Sequence, residues 1–151
     1  MDSPQFYTLK GYELAQGAFV TAAMEDYLEM ICRLSDEGEG PVRIRALSKR
    51  LHVKPSSASK MVSNLREKGL IEAEKYGEIR LTKEGKAFGE YLLYRHGLLH
   101  RFFCYLNHSQ NELEQVEKIE HFVEEKTVRS IQAFLDRLEK GQDPSPGQNT
   151  V

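Results

Sequence analysis

The sequence predicts a mainly α-helical chain in two units, a winged helix–turn–helix followed by a second, all-helical domain. Three observations predict it. Apolar residues recur at helical spacing through most of the chain. A helix opened by a proline and stopped by a glycine is followed by two short strand-like runs around a turn. Beyond that turn, the rest of the chain to residue 140 reads as helix. At 151 residues and 40% hydrophobic content, the chain suffices for one ordinary domain or two small ones sharing a core.

The elements follow in order. Residues 1–21 show no clean period and are read as an N-terminal extension. From Ala22, the residues Tyr27, Leu28, Ile31 and Leu34 mark one face of a first helix, which should fray in the loop "SDEGEGP". A short second helix, Ile44 to Leu51, carries Ile44, Leu47 and Leu51 at helical spacing before "HVKP" breaks it. Pro55 suits the first turn of a third helix because its missing N–H is not needed there. Ala58, Met61, Val62 and Leu65 supply that helix's buried side, and Gly69 fits a stop just past its end. "LIEAEKYGEIRLT" then reads as a two-stranded hairpin around Tyr76 and Gly77, completing a winged helix over 22–82.

Thr82 is placed to cap a long helix from Lys83 to Leu106. Each of its glycines, Gly85, Gly89 and Gly97, costs roughly 1 kcal/mol of helix stability against alanine, so all three point to close packing by another helix. Its apolar surface is wide enough to bury on two sides, which suits a subunit interface. Two further helical pieces, Glu112 to Glu125 and Thr127 to Lys140, complete a domain over 83–140. The tail "GQDPSPGQNTV", 141–151, reads as disordered.

Nothing resembles a signal peptide, and no stretch approaches the roughly 20 apolar residues of a membrane span. The expectation is a cytoplasmic protein with no membrane partner. Cys32 and Cys104 share no short metal-type spacing and read as reduced thiols. The net charge of −2 hides an asymmetry. Between Pro41 and Lys86, twelve basic residues face five acidic ones, a net +7; between Asn107 and Lys140, five basic residues face eight acidic ones, a net −3.

A basic module invites a polyanion. The stretch "KPSSASKMVSNLREKG" has the spacing of the second helix of a helix–turn–helix, whose first residues meet base edges in the major groove. Lys54, Pro55, Ser56, Ser57, Ser59 and Lys60 open that helix and are small or cationic, suited to bases and phosphates. Arg43 is a further candidate DNA contact, and Arg80 on the hairpin, with Lys75, is placed to meet backbone phosphates or the minor groove. A serine-rich helix start serves equally as a cap or turn; the basic excess and the wing together favour the DNA reading.

The acidic module carries a second signal. In "QVEKIEHFVEE", Glu117, Glu120, His121 and Glu124 fall at i, i+3, i+4 and i+7 of one helical face, beside a core face of Val116, Ile119 and Val123. Asp26 and Glu29, three apart on the edge of the first helix, and His96 in the long helix add further oxygen and imidazole donors. Such a set suits Mn²⁺, Fe²⁺ or Zn²⁺, and its oxygen predominance leans toward manganese. Without a cation the carboxylates would repel one another and oppose docking of the helices. Taken singly, each residue also fits a solvated helix face, and spacing alone leaves open whether the three helices converge.

"MEDYLEMI", "KPSSASKMVSNLREKGLI", "LTKEGKAFGEYLLYRHGLL" and "VEKIEH" occur in this order from about Ala23 to Lys140. Together they closely resemble the manganese transport regulators, the short branch of the diphtheria toxin repressor family of metal-dependent transcriptional repressors. The resemblance implies a winged helix–turn–helix DNA-binding domain followed by an α-helical metal-binding and dimerisation domain. It implies a homodimer on double-stranded operator DNA, activated by manganese(II) and controlling metal-uptake genes. The family's ligands fall on Asp26, Glu29, His96, Glu117, Glu120 and His121, with Glu29 and Glu120 expected to bridge two Mn²⁺ ions. Iron-type relatives carry methionine at the position of Asp26 and cysteine at that of Glu117, so the oxygen ligands point to manganese, with Fe²⁺ or another divalent metal as the alternative. The absence of a further SH3-like domain fits the short branch; the leader is longer than that branch leads one to expect.

Two other readings compete. A winged-helix regulator answering to an organic ligand would leave the acidic cluster merely solvated. A dinuclear metallohydrolase would need an open coordination position, a substrate pocket and a separate acid or base. No second constellation in the sequence supplies those, so the chain is expected not to be an enzyme.

Overall fold

The computed structural model describes residues 20–37, 41–74 and 77–141. The expected N-terminal extension up to residue 19, residues 38–40 of the expected loop, Lys75 and Tyr76, and the expected tail from residue 142 lie outside the described residues.

Helix α1, Ala22–Asp36, starts where the Thr21 hydroxyl accepts the Met24 N–H, a side chain standing in for the missing helical acceptor. Its face of Tyr27, Leu28, Ile31 and Cys32 is buried. Helix α2, Ile44–Leu51, buries Leu47 and ends at His52, which takes a left-handed conformation, φ 56°. Helix α3, Pro55–Glu67, has its proline in the first turn and buries Ala58, Val62 and Leu65. Gly69, φ +75°, follows it in the left-handed region, where a side chain is strained. Strands β1, Ile71–Ala73, and β2, Ile79–Leu81, pair antiparallel with Ile71 opposite Leu81 and Ala73 opposite Ile79. Val42 adds an isolated bridge to Ile79, tying the α1–α2 connection to the wing. These elements share one apolar core.

Helix α4, Lys83–Asn107, is capped by Thr82, whose hydroxyl accepts the Gly85 N–H and donates to the Gly69 carbonyl. At 25 residues it is about 37 Å long and serves both units. Its first half packs on α1. A Cβ at Gly85 would lie 1.8 Å from the Leu70 carbonyl oxygen, and one at Gly89 3.1 Å from the Cys32 Cβ. At Gly97 nothing among the described residues of this chain lies within 4 Å of a Cβ, so no helix of the same chain packs closely there.

His108, again left-handed at φ 49°, ends α4. The expected helix from Glu112 to Glu125 is not continuous. Helix α5 covers Leu113–Ile119, a 3₁₀ turn covers Glu120–Phe122, and α6, Glu125–Glu139, follows. Leu98, Val128 and Leu135 form a second core between α4 and α6, edged by Phe102 and Phe134 at 5.8 Å in a T-shaped contact.

Candidate metal centre and nucleic-acid face

Three elements converge at the flank of α1. Asp26 and Glu29 come from α1, His96 from the middle of α4, and Glu120 and His121 from the 3₁₀ turn after α5. Val116, fully buried one turn before Glu120, lies on α5, which packs against α4 ahead of the turn. Glu29 is not on an edge facing solvent, as its sequence position suggested; it is 7% exposed, on the side that meets α4.

Two groups of candidate donors result. Asp26, Glu120 and His121 form one, and Glu29, His96 and Glu120 the other, with donor atoms in each lying within 4.8 Å of one another. Glu120 belongs to both. Its carboxylate is fully buried; Oε2 lies 2.8 Å from His96 Nδ1, while Oε1 has no hydrogen-bond partner among the described residues. A buried carboxylate oxygen left bare is costly unless a cation meets it. Glu117 lies at the rim, its side chain 57% exposed and 3.6 Å from His96 Nδ1. Glu124, on the expected helical face, is exposed after the break at the 3₁₀ turn and joins neither group.

The electrostatics show what the cluster lacks. His121 Nε2 lies 2.8 Å from Asp26 Oδ1 and Nδ1 lies 2.8 Å from Glu25 Oε1. These hydrogen bonds, Asp26 first, push the His121 pKa up to about 10. The hydrogen bond to Glu120 raises that of His96 against the opposing effect of burial. Burial raises the Glu29 carboxyl, and the Glu120 charge raises it further against the Arg33 hydrogen bond. Partial burial and the Glu120 charge raise Glu117 likewise. Every resolved shift in the cluster holds protons, and with them positive charge, where the carboxylates crowd. The bare Glu120 oxygen and a donor set of carboxylates and imidazoles both fit a divalent cation.

Sequence reasoning missed two residues here. Glu25 accepts from His121 and from Arg95, whose Nη2 is 3.1 Å away. Arg95 is only 4% exposed, and its Nε has no hydrogen-bond partner among the described residues. One signal was available: Arg95 stands on the buried stripe of α4 between Leu92 and Leu98, where an arginine needs a carboxylate.

In the first unit, Lys54 before α3 and Pro55, Ser56, Ser57, Ser59 and Lys60 on it are all exposed, whereas its Ala58, Val62 and Leu65 are buried. Arg43 precedes α2 and is also exposed. Arg80 projects from the wing, held 2.9 Å from Glu78. No helix among the described residues is long and apolar enough to cross a membrane.

Comparison with known proteins matches both units. A family described as iron dependent repressor, N-terminal DNA binding domain, matches residues 20–79, and its metal binding and dimerisation domain matches residues 82–147. An HTH-type transcriptional regulator MntR of Oceanobacillus iheyensis is 38% identical over 112 residues, 74% of this chain and 76% of that one. The structure of the manganese regulator SloR is 27% identical with a TM-score of 0.66, covering 75% of this chain; the match spans 53% of the SloR chain. A hypothetical protein of Sulfolobus solfataricus is 25% identical with a TM-score of 0.59, covering 78% of this chain and 91% of that one. The protein therefore belongs to the iron-dependent, or diphtheria toxin repressor, family of metal-dependent transcriptional regulators, a family of regulators and not of enzymes.

Proposed function

We propose that this protein is a manganese(II)-activated repressor that binds operator DNA as a homodimer in the cytoplasm and controls metal-uptake genes. The observation that carries the reading is Glu120, a buried carboxylate shared by two donor groups with one oxygen unpartnered. Asp26, Glu120 and His121 would hold one ion, and Glu29, His96 and Glu120 a second, with Glu117 joining from the rim. Four carboxylates balance two divalent charges, and a set rich in hard oxygen favours manganese over softer metals. The relatives named for manganese support that choice.

The ions supply the positive charge that cancels repulsion among Asp26, Glu29, Glu117 and Glu120. The residues do the rest. Asp26 and Glu29 belong to the DNA-binding unit, while Glu117, Glu120 and His121 belong to the helical unit, so ligation joins the two. In a dimer built through the helical unit, that joint would set the separation of two α3 helices, each offering Ser56, Ser57, Ser59 and Lys60 to a half-site. Lys54, Arg43 and Arg80 would meet phosphates beside them. If ~1% of metal-free dimers held the productive spacing, fixing it would raise apparent DNA affinity by up to about 100-fold.

The test is fluorescence anisotropy on a palindromic operator candidate from an uptake-gene promoter, at fixed salt because phosphate contacts are salt-sensitive. Binding that requires Mn²⁺ and is lost in Glu120→Ala supports the reading. Equal binding in the presence of a chelator defeats it.

A further inference from the structure

We propose that Glu25 and Arg95 are positioning residues for His121, holding its ring so that Nε2 is presented to the metal position. The inference rests on the reading that His121 is a ligand. His121 meets Glu25 through Nδ1 at 2.8 Å, and meets Asp26 at 2.8 Å and Glu120 at 3.9 Å through Nε2. An imidazole that ligates through Nε2 keeps its remaining proton on Nδ1 and must donate it. Two side chains stand at that nitrogen. Arg95 Nη2, 3.4 Å away, is a donor and cannot accept; Glu25 Oε1 can. Glu25 therefore selects the Nδ1–H form, fixes the ring plane and makes Nε2 a stronger base.

Arg95 makes that role available to a buried carboxylate. Its Nη2 lies 3.1 Å from the same Glu25 oxygen, in a pair whose side chains are 4% and 12% exposed. The pair is internally neutral, so Glu25 adds no net charge to a cluster already crowded with carboxylates. One Glu25 oxygen faces both the guanidinium and His121, and Glu25 is a member of neither donor group. Without Glu25, Arg95 would donate to Nδ1 and favour the opposite tautomer, with the proton on Nε2 facing Asp26. Glu25 lies on α1, Arg95 on α4 and His121 on the 3₁₀ turn, so the ring is set only where all three elements meet.

The experiment uses the full-length protein stripped of metal, with Glu25→Ala, Glu25→Gln and Asp26→Ala compared with the unaltered chain. Mn²⁺ affinity is read from the electron paramagnetic resonance signal of free Mn²⁺. The His121 tautomer is read by ¹⁵N NMR of the Zn²⁺-loaded protein, and thermal melting in chelator reports folding. Glu25→Ala is expected to weaken Mn²⁺ binding by ~10- to 100-fold and to mix the His121 tautomers, with Glu25→Gln intermediate because its amide oxygen still accepts. Mn²⁺ binding by Glu25→Ala within about twofold of the unaltered chain, with an unchanged tautomer, overturns the proposal where Asp26→Ala has lost the ion of its own donor group. An Mn²⁺ stoichiometry and affinity in Asp26→Ala unchanged from the unaltered chain would instead overturn the ligand assignment on which it rests. Should Glu25→Ala fail to fold, Glu25→Gln decides, since a purely structural role would lower the melting temperature and leave the tautomer alone.

Discussion

His121 sits between Glu25 and Asp26, consecutive residues of α1, with one ring nitrogen 2.8 Å from each carboxylate. A single imidazole from the helical unit thereby reads two neighbouring positions of the DNA-binding unit. Neighbours on a helix point about 100° apart, so the two carboxylates reach the ring from different sides. One belongs to a donor group and the other to an ion pair with Arg95.

Sharing of Glu120 predicts unequal losses of metal. Asp26→Ala removes a donor from one group only and is expected to leave about one Mn²⁺ per chain, whereas Glu120→Ala removes a donor from both and leaves about none. Equilibrium dialysis against Mn²⁺ measures the stoichiometry. Equal losses in the two variants would show that the groups do not act as two positions.

The imidazoles predict a pH dependence. The pKa of His121 is raised from 6.5 to about 10 in the folded chain, so its stabilisation is fully present below 6.5 and is lost as pH rises through 10. His96, raised through Glu120, contributes in the same direction. Metal-free protein should melt at progressively lower temperature across that window. Mn²⁺ binding, which needs proton-free ring nitrogens, should tighten across it and release protons. Calorimetry in chelator checks the first; a melting temperature that stays flat or rises would contradict it.

Arg33 predicts a gain. Its Nη2 holds Glu29 Oε1 at 2.9 Å, and the guanidinium is a cation beside a position assigned to another cation. Arg33 is half-exposed, so the change should be small: Arg33→Gln is expected to tighten the weaker Mn²⁺ step by up to about fivefold, equivalent to ~1 kcal/mol. Isothermal titration calorimetry resolves it, and weaker binding would mean that Arg33 orients Glu29 for the metal.

The glycines of α4 predict opposite signs. Gly85→Ala drives a Cβ to 1.8 Å from the Leu70 carbonyl oxygen, a backbone atom that cannot swing aside. A loss of about 1–3 kcal/mol or more is expected in urea unfolding. Gly97→Ala meets open space and should gain up to about 1 kcal/mol from helix propensity. Equal effects at the two sites would remove the packing argument.

Much of this was legible in the sequence because it is local. Periodicity located α1 to α4, Pro55 and Gly69 bounded α3, and alternating runs around Gly77 marked the wing. The candidate donors were visible as residue types, and i, i+3, i+4 spacing grouped Glu117, Glu120 and His121. That spacing survived the break at Ile119 because a three-residue 3₁₀ turn advances the chain nearly as an α turn does. Glu25 and Arg95 were not legible in the same way. Glu25 reads as an acidic residue favourable to the first turn of a helix, and Arg95 reads as one charge in an apolar run. Their partnership spans 70 positions and exists only once α1 lies against α4.

The tight seating of Gly85 on Leu70 and of Gly89 on Cys32, with Thr82 hydrogen-bonded to Gly69, leaves no slack between the wing, α1 and the first half of α4. The boundary between the two family matches, near residue 80, therefore falls in a closely packed part of the chain. One 25-residue helix runs from the DNA-binding unit into the helical unit and carries His96, while Glu120 and His121 come from the short stretch that begins beyond left-handed His108. Backbone amides in that short stretch, and not those at the start of α4, are where loading and unloading of the site would alter hydrogen exchange.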